Sequence, residues 1–130
     1  MEPRWVDRLV VEAIHFDLVR AHGGMRGLRD ESVLESALAR PAQRLAYGLE
    51  SDVATLAASY GFGLARSHPF NDGNKRVAFV TMAVFVELNG YELAAAESDV
   101  VTVMLDLAAG ALDEDKLADW VRSHLVATNQ

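Results

Sequence analysis

The 130-residue chain has no cysteine. Disulfide scaffolds, cysteine-built zinc sites and thiol nucleophiles are thereby excluded. Proline is scarce, and no Pro/Ser-rich linker, low-complexity tract or internal repeat divides the chain. Positive charge is in deficit: 12 Lys and Arg stand against 19 Asp and Glu, a formal net charge of −7. That sign disfavours generic binding to nucleic-acid phosphates or anionic membranes. Histidines are few and scattered, at His15, His22, His68 and His124. No long hydrophobic run exists either. The most apolar stretch, Val77 to Leu88, is too short to span a bilayer and is broken by Glu87. The N-terminus, Met-Glu-Pro-Arg-Trp-Val-Asp, carries charges where an export signal has its apolar stretch. The expectation is a cytoplasmic protein that binds neither nucleic acid nor membrane directly.

What remains suits a packed core. Hydrophobic residues make up 51% and charged residues 24%, and the length fits one domain spanning 1–130. The pattern is a string of helices with short joints. Val6, Leu9, Val10, Ala13, Ile14 and Leu18 recur at helical spacing before Gly23-Gly24. Ser32 and Glu35 have capping-box spacing, with Asp30 as a rival cap, and this helix ends near Arg40, ahead of Pro41. Ser51-Asp52 opens a third run that stops near His68, because Pro69 disfavours helical geometry before it. A fourth runs from about Gly73 to Asn89-Gly90. It is apolar nearly all round, which predicts a buried central helix. Ser98 caps a fifth helix, which ends at Gly110. Asp113 caps a sixth, carrying Leu117, Trp120, Val121 and Leu125. Tyr91-Glu92-Leu93 is a short extended piece. The fold class expected is all-α, a bundle around that buried central helix. Trp5 and Trp120 read as core or interface anchors, and His15 and His22 as structural.

The chemistry concentrates between two apolar helices, in Arg66-Ser67-His68-Pro69-Phe70-Asn71-Asp72-Gly73-Asn74-Lys75-Arg76. Lys75 and Arg76 fall in the first turn of the fourth helix, where the macrodipole makes a cation unfavourable by about 0.3–1 kcal/mol. Beside free backbone N–H groups and the permissive Gly73, the pair makes sense as part of an anion site. Asp72 has two readings, a helix cap shared with Asn71 or a magnesium ligand. His68 is either a satisfied imidazole or a base for a hydroxyl nucleophile. Pro69 stiffens the loop and Phe70 plugs it into the core. Asn74 either orients a phosphate or braces the loop. A base, a carboxylate, an anion hole and two cations are the apparatus of phosphoryl or nucleotidyl transfer. No P-loop is present, and Gly61-Phe-Gly63 lies mid-helix.

His68-Pro-Phe-Asn-Asp-Gly-Asn-Lys-Arg76 resembles the signature of the Fic/Doc superfamily, in the form found in Doc ("death on curing") toxins. Ile14-His15, Gly23-Gly24, Gly27-Leu28-Arg29-Asp30, Leu34 to Leu38, Arg40-Pro41, Tyr47-Gly48 and Phe85 to Tyr91 extend the likeness. The resemblance implies the helical Fic fold, with ATP and Mg2+. It implies His68 as base on a target hydroxyl, Asp72 on the metal, and Gly73, Asn74 and neighbouring backbone as anion hole. Arg76 would bind phosphate, and Arg66 would add a further phosphate contact. AMP-transferring Fic enzymes read Gly-Asn-Gly-Arg and carry a second Arg three positions on. Here Lys75 replaces that glycine and Phe79 that arginine. The long Lys75 chain fills space that glycine leaves for an α-phosphate. In Doc proteins this goes with a reversed nucleotide and γ-phosphate transfer, to a threonine of elongation factor Tu, which halts translation. AMP or another nucleotidyl transfer, or a catalytically silent module that binds antitoxin or nucleotide, are the alternatives. The inhibitory Ser/Thr-x-x-x-Glu motif is missing, Thr102 to Asp106 being the nearest approach. Restraint is therefore expected from a separate Phd-like antitoxin docking as a helix.

Overall fold

Aspartates start most of the helices. The computed structural model describes residues 2–49 and 51–128, and in it Asp7, Asp30, Asp52 and Asp113 each accept from backbone N–H groups of a following first turn. They open α1 (Arg8–His22), α2 (Glu31–Ala46), α3 (Val53–Ser67) and α6 (Glu114–Ser123). At α2 the rivalry is settled for Asp30, whose carboxylate accepts from the Ser32 hydroxyl at 2.7 Å and the Ser32 N–H at 3.0 Å. α4 (Asn74–Leu88) and α5 (Glu97–Ala108) start without a side-chain cap. At α5 this corrects the expectation of a Ser98 cap. Ala96 holds that position, the acidic Glu97 and Asp99 suit the positive helix end, and the Ser98 carbonyl serves Thr102.

α2 also runs on past Arg40, through a buried Pro41, to Ala46. Proline forfeits one backbone hydrogen bond, but burial of Leu34, Ala37 and Pro41 continues the helix across it. On α1 the buried positions are Val11, His15 and Val19, while Leu9, Val10 and Ala13 face solvent. The expected apolar face is thus rotated, because β-branched and aliphatic residues occupy both sides of this helix.

The core is built on the consecutive pair α3 and α4, which pack against each other. α4 buries Val77, Ala78, Thr81, Met82, Phe85 and Val86, as a central helix should. α3 is enclosed still further and packs against α2, α4, α5 and α6. Its small residues explain this. A Cβ on Gly61 would collide with the Met82 sulfur, and one on Gly63 would lie 2.9 Å from Arg40 Cδ. Gly61 and Gly63 therefore serve close helix packing. Tyr60 is buried between these layers, and its hydroxyl accepts from the Val6 N–H at 3.1 Å. Trp5 stacks on Phe85 at 5.9 Å, and Trp120 lies against the His124 ring at 4.3 Å.

β1 (Tyr91–Leu93) is the expected extended piece. Its partner is β2 (Leu125–Ala127), antiparallel, with Leu93 opposite Leu125. Leu125 thus belongs to a strand and not to α6. Three residues are too short for an alternating pattern to stand out. Among the described residues no helix is long and apolar enough to cross a membrane. Among the described residues the architecture is a bundle of six helices with one minimal two-stranded antiparallel sheet, whose strands are separated in the chain by α5 and α6.

Candidate active site

The loop between α3 and α4 is held from several sides. α3 ends at His68 in a left-handed conformation, φ +53°, the one non-glycine residue with positive φ among those described. An L-residue there costs about 1–2 kcal/mol, so the surroundings must impose it. Arg29 does much of this. Its Nε donates to the His68 carbonyl at 2.6 Å and its Nη2 to the Ser67 carbonyl at 2.9 Å. The Arg29 and Asp30 N–H groups both donate to the Pro69 carbonyl, and the Asn71 N–H donates to the Gly27 carbonyl. Leu28 and Phe70 form an isolated β-bridge between the same segments.

Inside the loop, Asn74 answers its two readings. Its Oδ1 accepts from the Phe70 N–H and its Nδ2 donates to the Phe70 carbonyl, both at 3.0 Å. The side chain braces the loop, leaving the Asn74 backbone N–H for an anion. Phe70 is buried, as expected, and stacks on His15 with ring centroids 4.0 Å apart. His15 Nε2 lies 3.0 Å from the Asp72 carbonyl. A carbonyl only accepts, so Nε2 carries the proton. His15 is structural, and what it structures is the candidate site.

Neither Asn71 nor Asp72 caps α4. Asn71 Nδ2 donates to the Arg26 carbonyl. Asp72 Oδ1 accepts from the Gly73 N–H at 3.0 Å and Oδ2 from the Met25 N–H at 3.2 Å. Gly24 permits this approach, since a Cβ there would lie 2.8 Å from Asp72 Oδ2. Gly73, at φ +76°, is the N-cap residue, and no side chain covers the N–H groups that follow it.

These groups open onto a cleft of about 690 Å³. One wall is polar: His68, Asp72, Gly73, Asn74, Lys75 and Arg76. The other is apolar, from Phe79 and Val80 of α4 and from Val100, Val101, Met104 and Leu105 of α5, with Leu18 and His22 of α1 at its edge. The volume falls in the range of small-molecule sites, and a polar wall facing an apolar one suits a ligand with a charged tail and a flat base. Arg66 is not in this cleft. Its guanidinium lies 5.4 Å over the Phe62 ring, in a groove between α2 and α3. Sequence reasoning missed Arg29 and the α5 wall. Arg29 stood in a stretch noted only for its likeness to Doc sequences, and nothing in the α5 pattern says what that helix faces.

Residues 5–86 match the Fic/DOC family. The chain belongs to the Fic/DOC family. It is homologous to Doc-type toxins. The protein kinase doc of Escherichia phage P1 is 29% identical over 110 residues, covering 85% of this chain and 86% of that protein. The toxin Doc of Mycolicibacterium smegmatis is 37% identical over 103 residues, 75% of this chain and 78% of that protein. The Fic/DOC match contains the whole polar wall and ends within α4, so α5 and its apolar wall lie beyond it. The donor set fits a nucleotide with Mg2+. It holds uncapped N–H groups, two cations and the Asp72 carboxylate, whose oxygens each keep a lone pair beyond the bonds described, while Glu97 at the start of α5 is a second carboxylate on the cleft lining.

Proposed function

We propose that this chain is a Doc-type toxin that transfers the γ-phosphate of ATP to a protein hydroxyl. The supporting observation is Lys75 on the polar wall of a cleft that also holds His68, Asp72 and the uncapped start of α4. A lysine at that position stands where AMP-transferring relatives have glycine, and it takes up the room of an α-phosphate.

Each residue then has a task. His68, at the C-terminal end of α3, accepts the proton of the target hydroxyl. As the new oxygen–phosphorus bond forms, the bond from phosphorus to the nucleoside diphosphate breaks. The uncovered backbone N–H groups that follow Gly73, those of Asn74 and Lys75, together with the Lys75 and Arg76 side chains, hold the phosphate oxygens while charge builds on them. Asp72 would hold Mg2+, which would neutralise phosphate charge. The target class is a threonine of elongation factor Tu, so that transfer stops translation, and a Phd-like antitoxin supplies the restraint.

The test is transfer from ATP labelled at the γ or at the α position, with elongation factor Tu as acceptor. The γ label appears on the factor and the α label does not. Transfer from the α position alone overturns the kinase reading in favour of nucleotidyl transfer. An Asp72→Ala variant as toxic as the parent, in cells lacking antitoxin, overturns both in favour of a binding module.

A further inference from the structure

A second groove, of about 490 Å³, runs between α2 and the C-terminal half of α3 and shares no lining residue with the cleft. Its walls include Ser36, Arg40, Gln43, Phe62, Arg66 and Ser67, and no Asp or Glu lines it. In a chain of net charge −7 such a surface is an exception. Arg40 and Arg66 each place a guanidinium 5.4 Å from the centre of the Phe62 ring. This holds both planar heads against an apolar floor. The two differ in what they have left to give. Arg40 Nη2 already pairs with Glu114. Arg66 is exposed and has no carboxylate partner among the described residues.

The groove is also tied to the catalytic loop. Ser67, in its wall, directly precedes His68, and Arg29 grips the carbonyls of both. A peptide in the groove is thus anchored within a few residues' reach of the base. Arg66 is not among the residues that line the nucleotide cleft.

We propose that this groove is a docking site for an acidic segment of the protein substrate, with Arg66 as its main anchor. The substrate's identity rests on the transfer reading above; the binding of an acidic peptide does not. Charge complementarity commits the occupant: the unneutralised Arg66 guanidinium, the Ser36 hydroxyl and the aromatic Phe62 take carboxylates on a flexible backbone, the Ser32 and Ser67 hydroxyls being spent on Asp30 and the Gly63 carbonyl.

Two measurements on the full chain test this. Fluorescein-labelled hexaglutamate binds the parent and Arg66→Lys in low salt, by anisotropy, and binds His68→Asn equally. Arg66→Glu and the milder Arg66→Gln lose it. No binding by the parent, or binding that survives Arg66→Glu, overturns the site. In the transfer assay, Arg66→Glu raises KM for elongation factor Tu about tenfold, a change of about 1.4 kcal/mol. KM for ATP and kcat stay at parental values, and Arg66→Lys restores most of the loss. A rise in KM for ATP means that Arg66 serves the nucleotide and overturns the proposal, as does an unchanged KM for the factor. A dimer that dissociates on Arg66→Glu assigns the groove to a second copy of this chain and also overturns it. If the parent transfers nothing to the factor, the proposed function fails, and the peptide measurement still decides the groove.

Discussion

His68 sits in a backbone conformation that favours glycine or asparagine, and in the proposed reaction it is the base. The cost of that conformation is local, so chemistry and stability should separate on substitution. His68→Asn keeps a residue tolerant of positive φ and removes the base. Its expected transfer rate is lower by about 10²–10⁴-fold, with a thermal midpoint no lower than the parent's; a fall of several degrees contradicts the account of the backbone. Gly24 gives a second residue-scale prediction. Gly24→Ala puts a methyl 2.8 Å from Asp72 Oδ2, at φ +112°, and so displaces the carboxylate. The Mg2+ concentration needed for half-maximal transfer should rise while KM for the protein acceptor holds, which a magnesium titration reads directly. The sequence marks Gly24 as part of a Gly-Gly helix stop. Its closeness to Asp72 joins positions far apart in the chain, which no local pattern encodes.

At the level of elements, the strand-like pairing of residues 26–30 with 68–71 and the contact of α1 with the loop carry the site. Both involve side chains whose roles depend on partners in other elements. Asn74→Ala leaves the Phe70 N–H and carbonyl unpaired in a buried place. Each such orphan costs about 1–3 kcal/mol, and urea unfolding should show a loss in that range or above, with transfer falling as the loop loosens. His15→Phe keeps an aromatic ring on Phe70 but removes the donor to the Asp72 carbonyl. A smaller loss of about 1 kcal/mol is expected, with kcat reduced more than KM for ATP, since the carbonyl fixes where Asp72 stands. Equal loss in kcat and KM contradicts a positioning role. Helix starts at Asp52 and Asp113 are legible in the sequence because a cap acts on its own first turn, whereas the Asp7 cap of α1 is seen only in the structure. The end of α2 is not legible locally, because the burial of Pro41 that carries the helix past Arg40 depends on neighbours outside the segment.

Across the molecule, distant elements are joined by ion pairs at the surface. Asp52 caps α3 and also receives Arg122 of α6 through both carboxylate oxygens, at 2.8 and 3.1 Å. The Arg122 hydrogen bond first, then the Thr55 backbone and hydroxyl, hold the Asp52 carboxyl well below the ordinary carboxylate range. A folded-state pKa below the unfolded one means stability present above the unfolded value, near 3.9, and lost as pH falls through the folded value. Asp52→Asn retains an acceptor for the Thr55 N–H but not the charge. It should destabilise the fold at pH 7 by at most about 1 kcal/mol, because both side chains are half exposed. The gap between variant and parent should narrow as pH is lowered below 4, by urea titration at each pH; a gap that widens contradicts the pairing. The sequence by itself determined the helical class, most helix starts and the run from His68 to Arg76, because capping, periodicity and a contiguous loop are local properties of the chain. Only the tertiary structure decided that His15, Gly24 and Arg29 hold that loop, that α5 supplies the opposite wall, and that Arg66 turns away into its own groove. Those facts depend on which faces of separate helices meet, and that is set by how side chains of different volume pack together once the chain has closed on itself.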